Sequence, residues 1–283
     1  MKIASALRGA TQRLGEVSDT ARLDAEYLMA HAVGVTRSDL LLNHQGDAVP
    51  GEFADLVARR LHHEPLAYIT GGQEFFGRGF IVTPDVLIPR SDSEQVVEAA
   101  LAEMGEGARV LDLGTGSGAL LVTLLAEHPD ATGTGIDASL AALPVAAANA
   151  ARNGVADRAC LLKADWREPG WTDDLGQFDL VIANPPYVED NAALDASVRK
   201  FEPRAALYSG PEGLDDYRAI IPQLSSLLSS DGVAVLEIGY RQADAVGTIA
   251  EENGFESRLR HDLADRPRAL ILRKGVGKGR IRG

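Results

Sequence analysis

Between residues 3 and 63 the apolar positions recur three or four apart. Ile3, Leu7, Ala10 and Leu14 form one series, Leu23, Tyr27 and Leu28 a second, and Phe53, Leu56, Val57 and Leu61 a third. That period gathers side chains on one face of a helix. Asp19-Thr20 and residues 36–39 carry helix-start chemistry. A small helical domain is predicted. At residue 74 the pattern changes. Phe75, Phe76, Phe80, Ile81, Val82, Val86 and Ile88 stand among Gly77, Gly79, Pro84 and Pro89, which predicts a β-hairpin linker over 74–89. Ser91-Asp92-Ser93-Glu94 reads as a capping box opening a helix to about residue 104. Strands (109–113, 132–136, 159–164, 178–183, 233–238, 256–260, 269–272) then alternate with helices (119–127, 140–152, 214–228, 243–252). Such alternation predicts an α/β fold with a doubly wound, mainly parallel sheet. Ligands of such sheets sit at the carboxyl ends of the strands.

Composition narrows the setting. The 283 residues suffice for one full α/β core plus a smaller unit. A net charge of -13 and a pI of about 4.9 repel phosphate backbones and disfavour stable nucleic-acid binding. The single cysteine, Cys160, excludes an intrachain disulfide and fits a reducing compartment. Arg8, Arg13 and Glu16 interrupt any apolar signal sequence, and no apolar run is long enough to span a bilayer. The expectation is a cytoplasmic protein. The tail beyond residue 273 is Gly-rich and basic and is expected to fray.

Two stretches carry chemistry. In Leu111-Asp112-Leu113-Gly114-Thr115-Gly116-Ser117-Gly118, a strand runs through glycines into a helix. Glycines allow a tight turn and close approach of a ligand, and the helix start offers N–H groups to an anionic end. Asp137 ends the next strand, where a carboxylate can bind both ribose hydroxyls. Asp165-Trp166 closes the third strand, with a carboxylate for an adenine amino group and an indole to wall the ring. An ordinary strand-to-helix turn, a helix N-cap aspartate and a half-buried tryptophan would use the same residues. These features alone do not separate adenosylmethionine from NAD.

Asn184-Pro185-Pro186-Tyr187 ends the strand expected over 178–183. Prolines also fit an ordinary loop just past a strand. Yet this one has a specific use. An amide NH2 is a poor nucleophile because its lone pair is delocalised into the carbonyl. Methylating it requires acceptors that hold both N–H bonds and turn the lone pair toward the donor methyl. The Asn184 side-chain oxygen can accept one hydrogen bond and the Pro185 carbonyl the other. Proline makes the loop stiff, and Tyr187 can pack on a planar group. Catalysis would then rest on orientation and electrostatics. No Cys/His cluster suggests zinc, and no metal is expected.

Together these residues resemble the release factor glutamine N5-methyltransferases, the PrmC/HemK type. The resemblance runs over nearly the whole chain. It is strongest at Leu87-Ile88-Pro89-Arg90, at 111–118, at 184–187, from Phe201-Glu202-Pro203 through Tyr217-Arg218, and at Leu236-Glu237-Ile238-Gly239. It implies a helical substrate-recognition domain over 1–72, a hairpin over 73–90, a seven-stranded S-adenosylmethionine-dependent methyltransferase domain over 91–273, and a basic tail over 274–283. It implies that Gly114, Thr115, Gly116, Ser117, Gly118, Asp137, Asp165, Trp166 and Asn184 contact S-adenosyl-L-methionine, whose product is S-adenosyl-L-homocysteine. Asn184, Pro185, Pro186 and Tyr187 would hold the substrate, the glutamine of a Gly-Gly-Gln motif in class I peptide chain release factors. A monomer forming a transient one-to-one complex is expected. Similar enzymes usually carry Pro and Thr where this chain has Ser91 and Ser93. Ser91 is closer to a sister branch that methylates a ribosomal protein, whereas Asp92, Glu94, Gly114 and Trp166 lean toward the release factor branch. An amino methyltransferase acting on nucleic acid, which shares Asn-Pro-Pro-Tyr, is disfavoured by the acidic charge. A non-catalytic adaptor is disfavoured by the intact loops.

Overall fold

The structure, a computed structural model, describes residues 1–262 and 264–275. Of the expected basic tail, residues 276–283 lie outside the described residues. The chain divides into two compact units, one comprising Met1–Gly72 and Leu194–Glu202, the other Gln73–Ala193 and Pro203–Gly283.

The first unit is helical, with α1 (Ile3–Leu14), α2 (Ala21–Val33), α3 (Arg37–Asn43), α4 (Phe53–Leu61) and α5 (Leu66–Thr70). Ile3, Leu7, Leu14, Leu28, Met29, Leu40, Phe53 and Val57 form its core. The Thr36 hydroxyl accepts from the Asp39 N–H at 3.1 Å, capping α3. On α2 the apolar spacing misleads. Leu23 and Tyr27 are exposed, while Asp24 and Glu26 are buried. The reason is pairing. Asp24 meets Arg60 at 2.7 Å, and Glu26 meets Arg22 at 2.8 Å and Arg37 at 2.6 Å. A buried carboxylate is tolerated only with such partners.

In the second unit the hairpin is shorter than its apolar run, with β1 (Gly72–Phe75) and β2 (Arg78–Ile81). Phe76 (φ 51°) and Gly77 (φ 68°) both take left-handed backbone, as a two-residue hairpin turn of the primed type requires. The capping box does not form. Residues Ser91–Ser93 make a 3-10 turn before α6 (Glu94–Leu101), without a side-chain cap. The Glu94 carboxylate accepts instead from the Phe76 N–H at 2.8 Å, tying the helix to the hairpin turn.

The remaining elements in chain order are β3 (Arg109–Leu113), α7 (Ala119–Glu127), β4 (Thr132–Asp137), α8 (Ala142–Arg152), β5 (Ala159–Lys163) and β6 (Phe178–Ala183). They continue with α9 (Ala196–Phe201, in the first unit's second segment), α10 (Asp215–Ile220), α11 (Leu224–Leu227), β7 (Leu228–Glu237), α12 (Ala243–Glu252), β8 (Phe255–His261) and β9 (Pro267–Lys274). The helix expected over 214–228 is broken in two by a 3-10 turn at Ile221–Gln223. Pro222 stands there, and proline cannot supply the N–H an α-helix needs. Strand β7 starts earlier than expected, with Leu228 opposite Phe178 and a register shift before Leu180.

The sheet has seven strands in the order β5-β4-β3-β6-β7-β9-β8. Pairing is parallel except at β9, which runs antiparallel to both β7 and β8. Side chains of α6, α7 and α8 pack on one face, and those of α10, α11 and α12 on the other. With both faces covered, Val110, Leu111, Leu180, Val181 and Ile182 are all buried, and the strands read as continuous apolar runs. The chain leaves β3 toward β4 on one side and returns as β6 on the other. That reversal opens a crevice at the carboxyl ends of these strands.

Candidate active site

The glycine loop fills the crevice. After β3, the N–H groups of Gly114 and Thr115 both donate to the Ile136 carbonyl at 2.9 Å. The Gly116 N–H donates to Asp137 Oδ2 at 2.8 Å, and the Gly118 N–H to the Thr115 carbonyl at 2.7 Å. These four amides are spoken for, so the donors expected for an anionic end come from the start of the following helix, at Ala119 and beyond. The loop's glycines serve curvature and close approach. Gly114, Gly116 and Gly118 have φ of 74°, 54° and 80°. A Cβ on Gly114 would stand 3.0 Å from Trp166 Cη2, so only glycine lets the indole close over the loop.

Asp137 accepts from Gly116 through one oxygen and from the Ser139 N–H through the other, at 2.8 Å each. A carboxylate oxygen has two acceptor sites, so capacity for two hydroxyls is retained. Beneath the loop, Thr115 Oγ1 donates to Asp112 Oδ2 at 2.7 Å. Asp112 is fully buried, and burial pushes its carboxyl up to about 7, opposed by the Thr115 hydrogen bond and helped by the nearby charge of Asp137.

Trp166 is aimed by a buried anchor. Its Nε1 donates to Asp216 Oδ1 at 2.8 Å. Asp216 also accepts from Arg167 Nη2 at 2.8 and 2.9 Å and from Ser209 Oγ at 2.7 Å. On the hairpin side, Asn149 accepts from the Ile81 N–H at 2.7 Å and donates to the carbonyls of Ile81 at 2.9 Å and Ser117 at 2.8 Å. One buried amide thus holds the hairpin strand and the glycine loop together.

Asn184 ends β6 beside the loop after β3. Its Nδ2 donates to Ser93 Oγ at 3.4 Å, and Ser93 Oγ donates to Glu237 Oε2 at 2.5 Å. Glu237 Oε1 accepts from the Tyr187 hydroxyl at 3.3 Å. Tyr187, expected to pack on a planar substrate, is largely enclosed and tied to Glu237. Burial first, and the charge of Glu237 second, raise its phenol well above the ordinary value. Burial pushes the Glu237 carboxyl up to about 7, against the lowering influence of Ser93, Arg268 and Tyr187.

A cavity of ≈ 250 Å³ opens among these elements. Of the expected contacts, Gly114, Thr115, Gly116, Ser117, Asp137, Asp165, Trp166, Asn184 and Pro186 line it; Gly118, Pro185 and Tyr187 do not. Residues 86–90, Ser93, Arg167, Ala205 and Ala206 also line it. Two carboxylates, a flat indole wall and a loop whose Gly114 leaves room for that indole fit a nucleoside carrying a short polar tail.

A seven-stranded sheet with β9 antiparallel, and a glycine loop and an acidic strand end facing one crevice, define a class I methyltransferase. A methyltransferase of known structure from Pyrococcus furiosus shares this fold, with a TM-score of 0.54 at 17% identity over 79% of this chain and 100% of that one. Residues 5–71 match the PrmC N-terminal domain, and residues 93–213 the methyltransferase small domain. The release factor glutamine methyltransferase of Cereibacter sphaeroides is 44% identical over 96% of this chain and 99% of its own length. That of Nitratidesulfovibrio vulgaris is 39% identical over 95% and 94%. The chain belongs to the release factor glutamine methyltransferase family. Among the described residues, no helix is long and apolar enough to cross a membrane.

Proposed function

We propose that this protein transfers a methyl group from S-adenosyl-L-methionine to the side-chain amide nitrogen, N5, of the glutamine in the Gly-Gly-Gln motif of class I peptide chain release factors. One observation carries the reading. Asn184, at the carboxyl end of β6, lines the same cavity as the glycine loop, Asp137 and Trp166.

Gly114 to Ser117, Asp137, Asp165 and Trp166 would hold S-adenosylmethionine, which supplies a methyl group on a positively charged sulfur. The chain's task is to orient the other reactant. Asn184 Oδ1 accepts one N–H of the glutamine amide, and the carbonyl of Pro185, between two cavity-lining residues though not itself on the wall, accepts the second, turning the nitrogen lone pair toward the methyl. No side chain need act as a strong base, because a methylated amide cation gives up its proton readily. Pro185 and Pro186 keep the acceptors stiff, so little reorganisation is needed as charge develops. The helical unit recognises the partner protein, the enzyme acts as a monomer, and the reaction takes place in the cytoplasm.

The test is direct. The protein is incubated with isotope-labelled S-adenosylmethionine and, in parallel reactions, purified release factors, ribosomal proteins or duplex DNA, and the labelled site is mapped by mass spectrometry. Label on the Gly-Gly-Gln glutamine supports the reading. Label on a ribosomal-protein glutamine alone, or on duplex DNA, overturns it.

A further inference from the structure

We infer that Ser93 is a positioning residue that sets which end of the Asn184 side-chain amide faces the cavity, with Glu237 taking the one hydrogen that Ser93 can give. The inference rests on the proposed use of Asn184 as an acceptor for the substrate amide.

The two ends of a side-chain amide are alike in shape and opposite in chemistry. Turned by half a rotation, Asn184 would offer NH2 where an acceptor is needed, and it could not hold a substrate N–H. The prolines that follow stiffen the backbone and leave this torsion unset. Ser93 distinguishes the two ends. Its Oγ lies 2.5 Å from Glu237 Oε2, within the range of a charge-assisted O–H to carboxylate bond. A hydroxyl has a single hydrogen, and in the ionised form of Glu237, which prevails above a pH of about 7, this contact commits it to Glu237. What Ser93 offers Asn184 is lone-pair density, which receives an N–H and repels a C=O. Asn184 Nδ2 is accordingly the end that meets Ser93 Oγ, at 3.4 Å. The oxygen is left for the substrate.

Glu237 is itself immobilised. Its second oxygen accepts from Tyr187 at 3.3 Å, and its backbone carbonyl accepts from the Tyr217 hydroxyl at 2.8 Å. Ser93 and Glu237 are both buried, which keeps bulk water from taking over either bond. Neither residue needs to touch the reacting atoms for this role.

The experiment compares Ser93→Ala, Ser93→Thr and Glu237→Gln in the full chain. Turnover of a release factor is measured by kcat and KM, S-adenosylmethionine binding by calorimetry, and the Asn184 side-chain amide protons by NMR. Threonine keeps the hydroxyl, so Ser93→Thr should retain kcat within about threefold. Ser93→Ala should lose about tenfold or more in kcat, with S-adenosylmethionine affinity within about threefold of the parent. Glu237→Gln should also lose kcat, because a carboxamide cannot accept hydrogens from both Ser93 and Tyr187. The Asn184 amide protons should shift and exchange faster in Ser93→Ala. A Ser93→Ala enzyme with kcat within about twofold of the parent overturns the inference, as does a Ser93→Thr enzyme that falls equally far. Unchanged Asn184 amide protons overturn it whatever the activity. A parent enzyme that ignores release factors strikes the functional reading instead, and the NMR comparison still decides the orientation.

Discussion

In the proposed function, a neutral side chain at Asn184 does the work that a charged group does in many active sites, because the substrate nitrogen needs its hydrogens held and not removed. Asn184→Ala is therefore expected to abolish glutamine methylation while leaving the fold intact; a methyl-transfer assay beside a circular dichroism melt checks both. Asp112 makes a different prediction. Its folded carboxyl titrates near 7, above the ordinary 3.8. Between these values the native state keeps a proton that the unfolded chain releases, so this residue's share of stability falls as pH rises through that window. Asp112→Asn removes that share and keeps an oxygen for Thr115. Its denaturation midpoint relative to the parent should therefore rise from pH 4 to pH 7 and level off above. A difference that stays flat across that range would count against a buried, proton-holding Asp112.

At the scale of elements, the hairpin and the glycine loop depend on one buried amide. Asn149→Asp retains size but loses both donors, leaving the Ile81 and Ser117 carbonyls facing a carboxylate. A loss of about 2–4 kcal/mol is expected by urea denaturation, together with weaker S-adenosylmethionine binding as Ser117 is released. Elements whose cause is local were legible in the chain. Helices α7 and α12 and strands β3 and β6 fall where periodicity puts them, and the glycine loop and Asn184 to Tyr187 are contiguous motifs. What could not be read has distant causes. Ser93 and Glu237 meet across 144 positions, Ile81 and Asn149 across 68, and Trp166 and Asp216 across 50. Nothing near Ser93 signals a buried carboxylate, so a capping box was the natural reading of Ser91 to Glu94. Leu23 and Tyr27 misled in the same way, since the arginines that allow Glu26 to be buried in their place lie on another turn and another helix.

For the molecule as a whole, the two units divide the labour in the proposed function. Removing residues 1–72 should reduce turnover of intact release factor more than it reduces S-adenosylmethionine affinity, as parallel kinetics and calorimetry would reveal. Equal losses in both would argue against a recognition role for the helices. The first unit is also not a continuous stretch, since Leu194–Glu202 clusters with Met1–Gly72. During synthesis the head therefore waits for its final piece until after β6 and the Asn184 loop have left the ribosome. Under the proposed function, a head grafted from a relative would need its own counterpart of that late segment, so this chain's partner choice would be encoded in two separated stretches of gene and not in one.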